Sequence, residues 1–306
     1  MPDSGSGAGR LRGTPADKER QERTGDHVPN QTALASFEDV NTYPPAAPPN
    51  VFRQAAIDVI FGQVWTRPGL SRRQRRWVSL SAAGMAGTEV GISVHVYGAL
   101  NSGDISVAEM GEFLLHFACY AGWPQANPLD ATFREAQTRL AAERGAAPDS
   151  APGPAFAGLA EAPLEALAGP AADTRAEVLG PAGGPAPHGT PVSDLLAGGL
   201  EYGQVWSRPQ LARADRRLIT ITVLARQGYA AELRAHLAAA VDSGDLSVAA
   251  LREVALHAGV YAGVMTGRAI DEAVSAVAAA ARLPAGGGHG QRARPAGPVS
   301  AWPPAG

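Results

Sequence analysis

Glu232 and His236 stand four residues apart in AAELRAH, so on a helix both side chains lie on one face. His257 and Tyr261 repeat that spacing in LHAGVYAG. If the SGDLSV turn folds the two helices against each other, a carboxylate, two imidazoles and a phenol meet in one cleft, a set suited to general acid and base work. The plainer alternative is a solvated ELRAH face with an ordinary helical ion pair, and core polar residues satisfied at His257 and Tyr261. Glu232, His236 and His257 also have the donor types of an iron or zinc site, a reading kept behind the metal-free one.

A duplication inside the chain favours chemistry over the plain alternative. The stretch 61–124 is written again over 202–265 without a gap, so that Trp65 and Trp206, His95 and His236, His116 and His257, and Tyr120 and Tyr261 all stand 141 positions apart. Both copies keep the histidines and the tyrosine. The position matching Glu232 is Gly91, so a required carboxylate would place the chemistry in the second copy and leave the first structural.

Arginines form the second retained group. Arg67, Arg72, Arg75 and Arg76 are answered by Arg208, Arg213, Arg216 and Arg217, flanking the WTRP and WSRP turns. A guanidinium fork binds a carboxylate bidentately and stabilises developing negative charge; a structural ion pair is the competing role for any one of them. Trp206, Arg208, Arg216, Arg217 and Tyr261, with His95, His116 and Tyr120 from the first copy, are the substrate-binding candidates.

The elements that must hold these residues read as helices. Ser71 with Gln74, and Ser106 with Glu109, have capping-box spacing and predict two helix starts; Thr88 predicts another, and a last helix is expected after Pro128. LITITVL has the propensity of a strand, but its partner WVSLSAAGMAG reads as helix and two copies should share one fold. The prediction is an all-α chain of two tandem helical repeats, 37–144 and 191–284, joined by an Ala/Pro/Gly linker over 145–190 with one short helix near PLEALAG. Residues 1–36 and 285–306 have the composition of disordered tails.

The 306 residues carry a formal charge of −3, so no basic excess advertises nucleic acid or a membrane surface. A single cysteine, Cys119, rules out an intrachain disulfide and reads as a buried, inert thiol. No signal peptide, membrane-length apolar run, phosphate loop or GxSxG elbow occurs. A cytoplasmic protein acting on a small molecule is expected.

GQVWxRPxL followed by RR, then ELxxH, then LHxxxYAG resembles the carboxymuconolactone decarboxylase family in tandem form, which shares its helical fold with the alkyl hydroperoxidase D proteins. The CxxC of those peroxidases is replaced by Tyr229 and Glu232 in one copy and Thr88 and Gly91 in the other, which excludes a dithiol cycle. The resemblance implies a cofactor-free decarboxylase of a carboxylated muconolactone in aromatic degradation, with Glu232, His236 and His257 catalytic, no metal, and a homo-oligomer built as a trimer of tandem chains. Two other readings stand beside it. One is a relative acting on a polyketide-like acid in natural-product biosynthesis; the other is a non-catalytic helical scaffold.

Overall fold

The computed structural model describes residues 30–46, 50–145, 163–167, 171–180 and 191–282, and among them the regular elements are all helical. The first repeat comprises α1 (Gln31–Asn41), α2 (Val51–Ala55) running into a π-helix, π1 (Ala56–Val64), then α3 (Arg72–Ala86), α4 (Glu89–Asn101), α5 (Val107–Ala121) and α6 (Trp123–Glu143). After α7 (Leu164–Leu167) and α8 (Ala171–Leu179), the second repeat follows the same order. It comprises α9 (Pro191–Ser193) running into π2 (Asp194–Trp206), then α10 (Arg213–Gln227), α11 (Ala230–Asp242), α12 (Val248–Tyr261) and α13 (Val264–Arg282).

Both capping boxes form as the spacing predicts, Ser71 with Gln74 before α3 and Ser106 with Glu109 before α5. LITITVL lies inside α10 and is buried throughout, so tertiary packing overrides the β-branched preference of the segment. Three local expectations change. Helix α1 begins inside the stretch expected to be a tail, because Asn30 caps it and Ala33 and Val40 are buried, Val40 against Phe61 and Trp65. Helix α6 starts at Trp123 rather than after Pro128: Gly122, at φ 93°, breaks α5, and Pro124 sits in the first turn, where a missing N–H costs little. Pro128 is carried inside the helix. Within the expected linker, α7 falls on the predicted segment, whereas α8 was not foreseen; its Ala171, Val178 and Leu179 pack on Tyr202 and Trp206. The remaining linker and tail residues lie outside the described set.

The GQVW glycines are explained by close approach. A Cβ on Gly62 would lie 2.9 Å from the Cβ of Ala33, and one on Gly203 would lie 2.6 Å from the Gly198 carbonyl oxygen. Each glycine thus lets its π-helix wind and dock. The wider turn is visible where Trp65 N–H bonds the Ile60 carbonyl, five residues back, at 2.9 Å.

The two repeats do not keep separate cores. Trp77, Leu80, Phe113 and Phe117 share one apolar cluster with Leu218, Ile221 and Leu251. Helices α3 and α10 pack on each other at the centre, α3 also against α12 of the second repeat and α10 against α5 of the first. Each repeat therefore lends its HxxxY helix to the other.

Candidate active sites

That exchange rewrites the expected cleft. His257 and Tyr261 on α12 do not close over Glu232 and His236 on α11. They join His95, Trp65, Arg75, Arg76 and Ser79 of the first repeat, with the Tyr261 ring centroid 5.0 Å from that of His95 and 5.0 Å from that of His257. His236, with Trp206, Arg216, Arg217 and Thr220, receives His116 and Tyr120 from the first repeat. There are two composite clusters, and each draws residues from both repeats. The three residues of the metal reading are divided between them, and among the described residues no group of three His, Cys, Asp or Glu is arranged to hold a metal.

The sites are built alike. In the second, Trp206 Nε1 donates to Tyr120 Oη at 2.7 Å and the Trp206 ring stacks on His236, centroids 5.7 Å apart at 15°. In the first, Trp65 Nε1 donates to Tyr261 Oη at 2.8 Å. The guanidinium carbons of Arg217 and Arg76 sit over Trp206 and Trp65 at 5.7 and 5.4 Å. Asp245 and Asp104 anchor these arginines, together with the Val178 and Val40 carbonyls at the ends of α8 and α1. Helix α8 therefore does for the second site what α1 does for the first.

Behind each site a chain of ion pairs crosses between repeats, buried throughout in the second site and reaching the surface at Arg67 in the first. Arg208 grips Glu112 through Nε at 3.0 Å and Nη2 at 2.6 Å; Glu112 also accepts from Arg216 at 3.1 Å, and Arg216 Nη1 donates to His116 Nδ1 at 3.2 Å. Arg67, Glu253, Arg75 and His257 form the counterpart, with Arg75 Nη1 donating to His257 Nδ1 at 3.3 Å. Arg208 and Arg216, expected as substrate ligands, are thus committed to Glu112. Because guanidinium has only donors, Nδ1 of both histidines must accept, which leaves the proton on Nε2. Nε2–H then donates to Thr220 Oγ1 in one site and Ser79 Oγ in the other, each at 2.8 Å.

All four histidines are held neutral. Burial and the nearby arginines lower His95 and His236 to about 3, and depress His116 and His257 well below their ordinary value. Arg217 Nη1 faces His236 Nδ1 at 3.5 Å, so His236 also carries its proton on Nε2. A neutral imidazole in that tautomer is a hydrogen-bond donor and electrophile, not a ready base. Glu232 is exposed one turn before His236, near enough to Glu201 for its charge to help raise that carboxyl. Cys119 is half-buried rather than buried as expected, and desolvation raises its thiol to about 12.

Sequence reasoning missed Glu112, Glu253, Ser79, Thr220 and Glu201. The first four carried a signal: each pair stands 141 apart, and both glutamates lie four residues before a retained histidine. Glu201 carried none of that kind, because its counterpart is Ile60.

The family model of the carboxymuconolactone decarboxylase family matches residues 51–149 and 197–282, and the chain belongs to that family. Among characterised relatives it is similar to 4-carboxymuconolactone decarboxylase of Acinetobacter baylyi, 46% identical over 63 residues that make up 21% of this chain and 46% of that protein. It is also similar to nitrosuccinic acid decarboxylase npaB of Metarhizium robertsii, 39% identical over 64 residues, 21% of this chain and 44% of the relative. The chain spans less than half the length of either. These relatives support a decarboxylase-like role.

Proposed function

We propose that the protein decarboxylates a small carboxylated substrate related to carboxymuconolactone or nitrosuccinate, using residues of the chain itself. The observation that carries this reading is the meeting of a buried guanidinium (Arg217), a neutral imidazole (His236) and a phenol (Tyr120) around one indole, in a family whose named relatives are decarboxylases. Loss of CO2 leaves its bonding electrons on carbon as an enolate or nitronate. Arg217 and His236 Nε2–H stabilise that charge, and a proton delivered to carbon completes the exchange of CO2 for H. The catabolic and biosynthetic versions differ in the acid presented, and the two named acids separate them.

The test offers γ-carboxymuconolactone and nitrosuccinate to the wild type and follows CO2. Release from either is expected, with His236→Ala lowering kcat by about 10²- to 10³-fold. A parallel Glu232→Ala variant reports what the exposed carboxylate adds. No release from either acid by folded protein would turn the reading toward another acid or toward the scaffold.

The assembly is proposed as a trimer of tandem chains. Support comes from apolar side chains left in the open in both repeats, Trp123 at 57% exposed and its counterpart Val264 at 70%, together with Val90 at 77% and Met265 at 70%, which are not counterparts of each other. Sedimentation at the mass of one chain would refute the trimer. Among the described residues no helix is long and apolar enough to cross a membrane.

A further inference from the structure

The two composite sites share their tryptophan, arginines, histidines and tyrosine, yet differ at two adjacent positions on the π-helices. Where the first site has Ile60 and Phe61, the second has Glu201 and Tyr202. Ile60 and Tyr261 both pack against the cluster of Val40, Phe61 and Trp65. Glu201 instead meets the corresponding phenol directly: Tyr120 Oη and Glu201 Oε1 are 2.5 Å apart, and Tyr202 bonds the same carboxyl. A surface cavity of about 280 Å³, lined in part by Cys119, Leu196, Leu200 and Ala197, reaches both Tyr120 and Glu201. It has room for several waters.

We propose that Glu201 and Tyr120 are a proton-delivering pair that makes the second site the turnover site, while the first site binds the same class of small acid without protonating the carbanion. This rests on the decarboxylase reading. Tyr120 Oη is the group placed to touch the reacting carbon; Glu201 acts through it. In the free protein Tyr120 O–H donates to Glu201 Oε1 and Trp206 Nε1–H occupies one lone pair of the phenol. In the proposed reacting state a protonated Glu201 donates to the other lone pair instead, which turns the phenolic hydrogen toward the ligand. The enolate takes the Tyr120 proton as a C–H bond forms. The Glu201 carboxyl proton moves to the phenolate oxygen, and water in the cavity restores the carboxyl. One substrate carboxylate and one solvent proton give one CO2 and one C–H bond, with no redox change.

The groups facing Glu201 act on it in both directions. Burial raises it most, and the charge of Glu232 on α11 adds to that; the Tyr120 and Tyr202 hydrogen bonds and Arg175 on α8 pull the other way, and the net direction is upward. The Cys119 thiol beside it on α5 is itself raised and uncharged at neutral pH. In the first site the matching phenol has Trp65 and Ser79 as partners. A serine hydroxyl cannot resupply a proton as a carboxylic acid can.

Infrared spectra taken without substrate test the pair. The expected result is a carboxylic acid carbonyl band that persists at about pH 6, where ordinary carboxyls are ionised, shifts in Tyr120→Phe and disappears in Glu201→Gln. A band that is missing, or that titrates with the surface carboxylates, overturns the proposal even if the protein is an active decarboxylase. In turnover, Glu201→Ile copies the first site, so its fold has a precedent in Ile60. It is expected to lower kcat about 10²-fold with little change in KM, and Glu201→Asp to recover part of the rate. Undiminished kcat in Glu201→Ile would place turnover in the first site and sink the idea. Failure of the wild type to release CO2 from either acid would count against the decarboxylase reading and the turnover assignment that rests on it, whereas the infrared band decides the Glu201–Tyr120 pair independently.

Discussion

Acidification from pH 6.5 toward 3 is expected to unfold the protein well before its carboxylates are exhausted, because the fold encloses four histidines that resist protonation. His95 and His236 fall from 6.5 to about 3, and His116 and His257 shift the same way. Above about pH 6.5 the imidazoles are neutral in both the folded and unfolded chain, and stability is fully present. As pH falls through the window the unfolded chain binds protons that the folded one refuses, so stability is lost toward the folded-state values. Each such histidine contributes a slope of about 1.4 kcal/mol per pH unit. Glu201 and Asp215, raised by burial, act with the opposite sign, each holding at most one extra proton when folded. That leaves a net slope of about 3 kcal/mol per pH unit near pH 5, large against a total stability of about 5–15 kcal/mol. The lowered carboxyls of Asp104, Glu109, Asp245 and Glu253 add to the loss only below their ordinary range. Urea midpoints at intervals between pH 8 and 5 would measure the slope. A His95→Gln variant should make it shallower by about one proton; an unchanged slope would mean that His95 titrates when folded.

Replacing Glu112 by alanine is expected to cost about 3–5 kcal/mol. Its side chain is 2% exposed and joins Arg208, 9% exposed, to Arg216, 1% exposed. Without it two guanidinium groups remain in a low-dielectric interior with reduced compensation, and Arg216 loses a partner that helps aim it at His116 Nδ1. The counterpart Glu253 is 14% exposed and its partner Arg67 is 47% exposed, so Glu253→Ala should cost distinctly less, because water can screen what is left. Chemical denaturation of the two variants side by side gives the comparison. Equal losses would contradict the assignment of the Glu112 chain as the buried one.

Much of this architecture was legible from residue types. The capping serines are local signals, and the helical state of LITITVL follows from the 141-position register that pairs it with WVSLSAAGMAG rather than from its own propensity. The pairing of helices across the repeats was not legible in that way. His236 and His257 have spacings that look alike whether α12 folds onto its own α11 or onto the other repeat, since a duplicated unit presents equivalent surfaces to both partners. Only packing distinguishes them: Thr220 and Ser79 meet histidines from the opposite repeat, as do Glu112 and Glu253 with their arginines. Helix α8 escaped notice because three apolar residues in an Ala-rich stretch give little periodicity until Tyr202 and Trp206 supply something to cover. Glu201 is not marked by the repeat, because its counterpart is Ile60 and the repeat marks only positions at which the copies agree.

The lending of α5 and α12 between repeats makes this chain a covalently joined pseudo-dimer. Severed between Glu143 and Pro191 and produced as two polypeptides, the halves would each lack the histidine and tyrosine that complete their own cluster. Activity would then depend on the square of dilution rather than on its first power, since both sites appear only in the reassociated pair. The tether removes that dependence by fixing one half at a high effective concentration near the other. It also frees the two halves to diverge, because a joined pair never meets an identical partner in its place: Ile60 and Glu201 can face each other's helices without ever being exchanged.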